Sequence, residues 1–134
     1  MSVKRFGVSL EDELLEALDQ YVGEHHFPNR SQAIRHLIKN NLVEEKWEEN
    51  EDVVGAIVLV YDITNKEIQS KSRLTQHGYH CLILSVQYVH LGDGRCLETI
   101  AIKGKARKLQ KLADKLIAIK GIQHGRLIMS GSPE

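Results

Sequence analysis

CLILSVQYVHLGDGRCLETIAIKG, Cys81 to Gly104, is the stretch that decides the fold. Cys81 to Leu91 is dominated by apolar and β-branched side chains, a Gly-Asp-Gly turn follows at 92 to 94, and Cys96 to Gly104 resumes the same texture. Two such runs around a glycine turn read as a β-hairpin. Upstream, GAIVLVYDI (55–63) is an unbroken apolar strand. TNKEIQSKSRLTQHGY (64–79) then reads as an amphipathic helix capped by Thr64 or Asn65. Downstream, KARKLQKLADKLIAIKG (105–121) is a basic-faced helix ending at Gly121, and IQHGRLIMS (122–130) is a last strand. The order βαββαβ is the ferredoxin-like arrangement.

A different texture precedes it. In KRFGVSL, Lys4 to Leu10, Phe6, Val8 and Leu10 alternate with Arg5, Gly7 and Ser9, the pattern of a short half-buried strand. Ser9 and Asp12 have capping-box spacing, and Leu14, Leu15, Leu18, Tyr21 and Val22 form one helical stripe expected to stop at Gly23. EHHFPN (24–29) is a turn. Asn29 is placed to cap a second helix with Ala33, Ile34, Leu37, Ile38, Leu42 and Val43 in helical period. From Glu44 to Asp52 the pattern becomes acidic and is read as a frayed helix end and linker. The expected division is therefore 1–50, strand-helix-helix, and 51–134, a split βαβ domain, in an α+β chain. A lone strand leaves its backbone donors and acceptors unbonded, so the first unit should pair its strand with that of a second molecule.

Composition narrows the function. The 134 residues carry 18 Lys and Arg against 18 Asp and Glu, so a generic polyanion binder is disfavoured. The halves differ, with six basic and ten acidic residues in 1–50 and twelve and eight in the remainder. A nucleic-acid reader in the first half would have to use a few placed cations. No apolar run reaches bilayer length and the N-terminus lacks a signal-peptide core, so a cytoplasmic location is expected. Two cysteines then point to buried thiols or metal ligands rather than a disulfide, and Cys81, in an apolar run, to a core position.

Strand, ELLEALD helix and NRSQAIRHLI helix in this order resemble the ribbon-helix-helix DNA-binding family, whose two-stranded ribbon enters the major groove of an operator. The resemblance implies that Arg5, Gly7 and Ser9 face the bases. The helix opening at Asn29, Arg30 and Ser31 would hold a phosphate. Gly7 has no side chain with which to read a base. A bland alternative is that the unit serves dimerisation alone, which its acidic balance favours.

Over essentially its whole length, the chain resembles the nickel-responsive transcriptional regulators, the NikR family. That resemblance implies an ACT-type body assembling four chains as a dimer of dimers on a palindromic operator, a repressor of metal uptake, and one Ni(II) per chain shared between two bodies. His77, in Thr-Gln-His, would come from one chain, with His90 and Cys96 from its neighbour. The family's His-x-His pair reads Tyr88-Val89-His90 here, so Tyr88 stands in place of a ligand. A neutral phenol is a poor nickel ligand; either Tyr88 binds weakly or water, His80 or Cys81 takes the fourth position, with weaker or altered metal selectivity and other divalent transition metals admitted. Residues 88 and 90 share one strand face, and Cys96 joins them if 91 to 95 form a five-residue loop. Glu98 would support a ligand imidazole. Relatives place two acidic residues for a potassium ion where this chain has Gln32 and His36. His124 matches a family histidine, while His25 and His26 sit in a turn and carry no role. Two rival readings are an ACT-type amino-acid sensor, against which YDITNKE offers no glycine-rich turn, and an enzyme, for which no nucleophile-base-orienter set appears.

Overall fold

The computed structural model describes residues 2–131. Its elements are α1 (Asp12–Glu24), α2 (Arg30–Glu48), β1 (Asp52–Asp62), α3 (Lys66–Gly78), β2 (Ile83–His90), β3 (Arg95–Lys105), α4 (Ala106–Ile117) and β4 (His124–Ser130), with one 3-10 turn at His80–Leu82. Two compact units divide between Asn41 and Leu42.

In the larger unit the four strands form one antiparallel sheet in the order β2-β3-β1-β4, as the βαββαβ pattern requires. Tyr61 pairs with Cys96, Leu59 with Glu98 and Ile57 with Ile100, so odd positions of β1 and even positions of β3 share a face. That face is buried against Ile68 of α3 and against Leu109, Leu112, Ala113 and Leu116 of α4. The α4 residues recur at helical spacing, which is why a helix with so many lysines still packs: its apolar stripe faces the sheet and its charges do not. Truncating one of these leucines to alanine removes contacts that typically hold ~2–5 kcal/mol.

Local chemistry settles the ends. Asn65, not Thr64, caps α3: its side-chain oxygen accepts the Ile68 amide at 3.4 Å. Thr64 instead donates both its hydroxyl and its amide to the Asp62 carboxylate, which these bonds hold below the usual range. The β2–β3 turn is the five-residue loop 91–95. Gly92 and Gly94 have φ of 86° and 84°, values that side chains resist, and the Leu91 amide closes the loop on the Arg95 carbonyl at 2.9 Å.

The segment 44–52 is not the frayed end and linker that its composition led us to expect. Helix α2 runs to Glu48, and Trp47 is only 2% exposed, its indole lying over Gly55 and donating to the Ser130 carbonyl at 3.0 Å. A Cβ at Gly55 would meet that ring at 3.2 Å and the Ile128 carbonyl at 2.6 Å, so the glycine makes the indole's seat. Asn50 follows in the left-handed region (φ 58°), and its side chain accepts the Arg107 amide at 2.9 Å while Glu51 accepts that of Ala106 at 3.0 Å. The end of α2 thereby caps the start of α4, which has no cap from Lys105. One tryptophan in an acidic run outweighed the run because an indole buries a large apolar area and finds a partner for its N–H.

In the smaller unit α1 begins at Asp12 with Glu11 in the cap position, and no side chain caps it. Ser9 lies too far upstream to do so, which corrects the capping-box expectation. The helix also continues past Gly23 to Glu24, and His26, not the glycine, takes the left-handed turn (φ 57°). Residues 2–11 form no strand within one chain, and Phe6 is 77% exposed. A strand exists only by bonding to another, and a single chain offers this segment none. Helix α1 buries no residue, and Leu14, Leu37 and Ile38 are exposed. Among the described residues no helix is long and apolar enough to cross a membrane.

The Trp47→Ala variant is expected to lose ~3–5 kcal/mol of stability, as large aromatic truncations do. Urea denaturation followed by far-ultraviolet circular dichroism measures it; a loss below ~1 kcal/mol would show that α2 ends independently of the sheet.

Candidate metal centre and nucleic-acid interface

The hairpin register brings His90 directly opposite Cys96 and Tyr88 directly opposite Glu98. Directly paired residues on antiparallel strands project from one face, so these four share the face that continues inward to Tyr61 and Leu59. Cys96 is 1% exposed, whereas His90 and Tyr88 stand exposed on the edge strand. His77 lies elsewhere, exposed on the last turn of α3. Among the described residues of a single chain, no three His, Cys, Asp or Glu side chains gather closely enough to hold a metal. The chain thus presents a histidine-thiol pair on one element and a lone exposed imidazole on another.

Beneath the pair lies a buried carboxylate without a cation. Glu98 accepts the Tyr61 hydroxyl at 2.7 Å on one oxygen and the Gln76 amide at 2.6 Å on the other, and that amide also bonds the buried Ser72 hydroxyl at 2.9 Å. Burial first, and then the Glu98 charge, push the Tyr61 phenol far above its ordinary pKa, so it remains a proton donor. The expected role for Glu98 was support of a ligand imidazole; within one chain, Tyr61 and Gln76 are its partners, and each oxygen keeps a further lone pair. Tyr61, Ser72 and Gln76 were not singled out from the sequence. Gln76 precedes His77 and ties the last turn of α3 to β3; its signal was adjacency to the Thr-Gln-His motif. For Tyr61 the signal lay in the strand register, which a sequence does not print.

Tyr88 is also pushed upward, by burial and by the Glu98 charge, with Arg73 opposing. The phenol is therefore further from its anionic form than in water, which makes it a weaker ligand still.

Cys81 is exposed, not a core residue. It falls in the 3-10 turn before the strand begins, so the alternation that would have buried it does not apply. Its Sγ lies 3.4 Å from His80 Nε2, and His80 Nδ1 lies 3.0 Å from the His77 carbonyl oxygen. His36 contacts Asn40 at 3.2 Å and its ring lies 5.3 Å from that of Phe27, while Gln32 accepts from Arg35 at 3.2 Å. His25 packs on Tyr21, with ring centroids 4.4 Å apart. His124 opens β4 and is exposed.

In the smaller unit Arg5, Gly7 and Ser9 are exposed, with nothing within 4 Å of a Cβ built on Gly7. Asn29 does cap α2, accepting the Gln32 amide at 2.9 Å. Arg30 makes a two-pronged pair with Asp19, at 2.8 and 2.9 Å. The shared hydrogen bonds lower the Asp19 pKa and raise that of Arg30. The Arg30 guanidinium is thereby committed to α1, which leaves the backbone amides and Ser31 as the free donors at the opening of α2.

An acidic helix pair following an unpaired alternating segment, joined to an α+β body with a histidine-thiol rim, defines a ribbon-helix-helix protein with a metal-binding C-terminal domain. Residues 4–45 match the copG-type ribbon-helix-helix family, and residues 54–130 match the NikR C-terminal nickel-binding domain. Three relatives carry the name "Putative nickel-responsive regulator". That of Geobacter sulfurreducens is 44% identical across 97% of this chain and 94% of its own. Those of Pelobacter propionicus and Thermococcus kodakarensis are 42% and 38% identical, across 96% and 98% of this chain and 93% and 96% of theirs. The chain belongs to the nickel-responsive regulator family. A solved structure, the uncharacterized protein TM1266 from Thermotoga maritima, superposes with a TM-score of 0.53 over 59% of this chain and 98% of its own at 15% identity, a likeness of fold alone.

Removing the Tyr61 hydroxyl leaves the buried Glu98 one donor short. Tyr61→Phe is expected to lower stability by ~1–3 kcal/mol, and the loss should shrink at a pH low enough to protonate Glu98. Equilibrium unfolding across a pH series tests both; a cost independent of pH would show that the bond to the carboxylate is not the cause.

Proposed function

We propose that the protein is a nickel-responsive transcriptional repressor of metal uptake, acting in the cytoplasm as a dimer of dimers on a palindromic operator. The observation that carries this reading is the direct pairing of His90 with Cys96 on the rim of a domain that matches a nickel-binding family. An imidazole and a thiol side by side suit a borderline divalent ion such as Ni(II), and they form too small a set to hold it alone. His77 of a neighbouring chain would complete three protein ligands, one nickel per chain. Nickel, when bound, supplies bonds that join donors on two chains.

The residues of this chain do the rest. Cys96 gives up its proton to ligate, and His90 offers a neutral nitrogen from an exposed edge. Tyr88 keeps its proton and contributes bulk rather than charge. Gln76 and Tyr61 hold Glu98 in place, and Glu98 retains lone pairs with which to accept an N–H from a ligand imidazole. Trp47 anchors the end of α2 to the sheet, so constraint of the body reaches α2 through packed structure rather than a slack linker. Residues 2–11 of two chains would pair into the ribbon, covering Phe6, Val8 and Leu10 and directing Arg5, Gly7 and Ser9 to the bases. The amides of Arg30 and Ser31 would meet a phosphate. Metal and operator must then strengthen each other's binding by the same factor. Nothing in this scheme is catalytic.

Nickel titrations of operator binding by gel shift test the reading. Cys96→Ala is expected to abolish the nickel dependence while the far-ultraviolet spectrum stays native, and an unchanged dependence would overturn the proposal. Tyr88→His should tighten nickel binding by on the order of tenfold or more, since even indirect supports of a metal act on that scale. Competition against a chelator reads the change, and unaltered affinity would mean that position 88 does not face the ion.

A further inference from the structure

His77, His80 and Cys81 lie within five residues, at the end of α3 and in the 3-10 turn after it, and all three are exposed. The His77 carbonyl can only accept, so the 3.0 Å contact makes His80 Nδ1 the protonated nitrogen and leaves the lone pair on Nε2. That lone pair faces the Cys81 thiol at 3.4 Å. An imidazole with one nitrogen tied to a backbone carbonyl and the other free is in the state in which histidines ligate metals.

The spacing selects the ion. With zinc-nitrogen bonds of about 2.0–2.1 Å and zinc-sulfur bonds of about 2.3 Å, two donors at the tetrahedral angle stand ~3.5 Å apart, while at the right angle of a planar ion they stand ~3.1 Å apart. The observed 3.4 Å lies close to the tetrahedral edge. The His77 ring is 6.0 Å from that of His80, centroid to centroid, and the planes are 28° apart. Two imidazoles on one tetrahedral ion have centroids ~5 Å apart, a gap that rotation of an exposed side chain closes.

We propose that His77, His80 and Cys81 of each chain form a second metal site, for a tetrahedral thiophilic cation of the zinc class with water in the fourth position. It is built within one chain. In the reading above, nickel draws His77 to a neighbour's His90 and Cys96, so the two ions compete for that imidazole. The competition rests on that reading; the site itself does not. A zinc-class cation would then oppose the nickel response by removing a ligand.

The full-length Cys96→Ala variant has Cys81 as its one thiol, and Co(II) is a coloured stand-in for zinc. One equivalent of Co(II) per chain is expected to give a thiolate charge-transfer band with intense tetrahedral ligand-field bands, bleached by Zn(II). The bands should vanish in Cys96→Ala/Cys81→Ser and weaken in Cys96→Ala/His80→Ala. Absence of a thiolate band in folded Cys96→Ala overturns the second site, whatever nickel does. Loss of nickel binding in the same variant reports separately on the cross-chain centre. If Cys96→Ala does not fold, Cys81→Ser alone decides: a lost share of the thiolate absorption supports the site, and an unchanged spectrum overturns it.

Discussion

A slip of one residue between β2 and β3 would turn His90 to the opposite face of the sheet from Cys96, because side chains alternate with a period of two. The five-residue loop prevents it. Gly92 and Gly94 occupy backbone conformations that other residues resist, Asp93 holds Arg95 across the turn at 2.9 Å, and the loop length fixes His90 against Cys96. The same register sets Tyr88 against Glu98 and Tyr61 against Cys96. Burial reinforces it: with Cys96, Glu98, Ile100 and Ile102 all inside, no alternative register keeps the core apolar set on the helix side. The donor pair of the candidate centre is therefore specified by folding itself, ahead of any metal.

That register also forces a carboxylate into the core. A buried charge without a cation is costly, and Glu98 is tolerated because two neutral donors reach it from two different elements, Tyr61 on β1 and Gln76 on α3. The cost has a structural return, since the bonds tie the helix turn that carries His77 to the strand that carries Cys96. It also explains why replacing the family's histidine by Tyr88 is more than a change of donor atom. A phenol near a buried carboxylate is driven away from ionisation, so the position loses ligand strength through its surroundings as well as its chemistry.

How legible this was in the sequence varied with the physics involved. The βαββαβ order, the glycine turn, the Asn29 cap and the His90–Cys96 face all followed from short-range patterns, and the structure has them where periodicity and spacing put them. Trp47 escaped notice because an acidic run masked a single anchor whose partner, Gly55, is a glycine for reasons visible only in three dimensions. Cys81 was misjudged because apolar neighbours do not show where a turn ends and a strand begins. The Asp19–Arg30 pair and the Glu98 network join residues 11, 22 and 37 positions apart, separations at which a sequence gives no geometric information. The first ten residues illustrate a further limit: their alternation describes a strand whose partner belongs to another molecule.

The charge distribution explains why such a protein would need its body. A unit with six basic and ten acidic residues gains little from the phosphate backbone, where most sequence-independent affinity arises, and Arg30 is held by Asp19. Gly7 removes a base-reading side chain as well. A single pair of heads would then bind an operator through few contacts and release it readily. Joining two such pairs makes the second engagement intramolecular, and the gain depends steeply on whether the connection spans the half-sites. Weak heads thus place control in the connection, where bonds between bodies act. In that design the acidic balance, which by composition alone counts against DNA binding, is what keeps the unbridged protein off DNA.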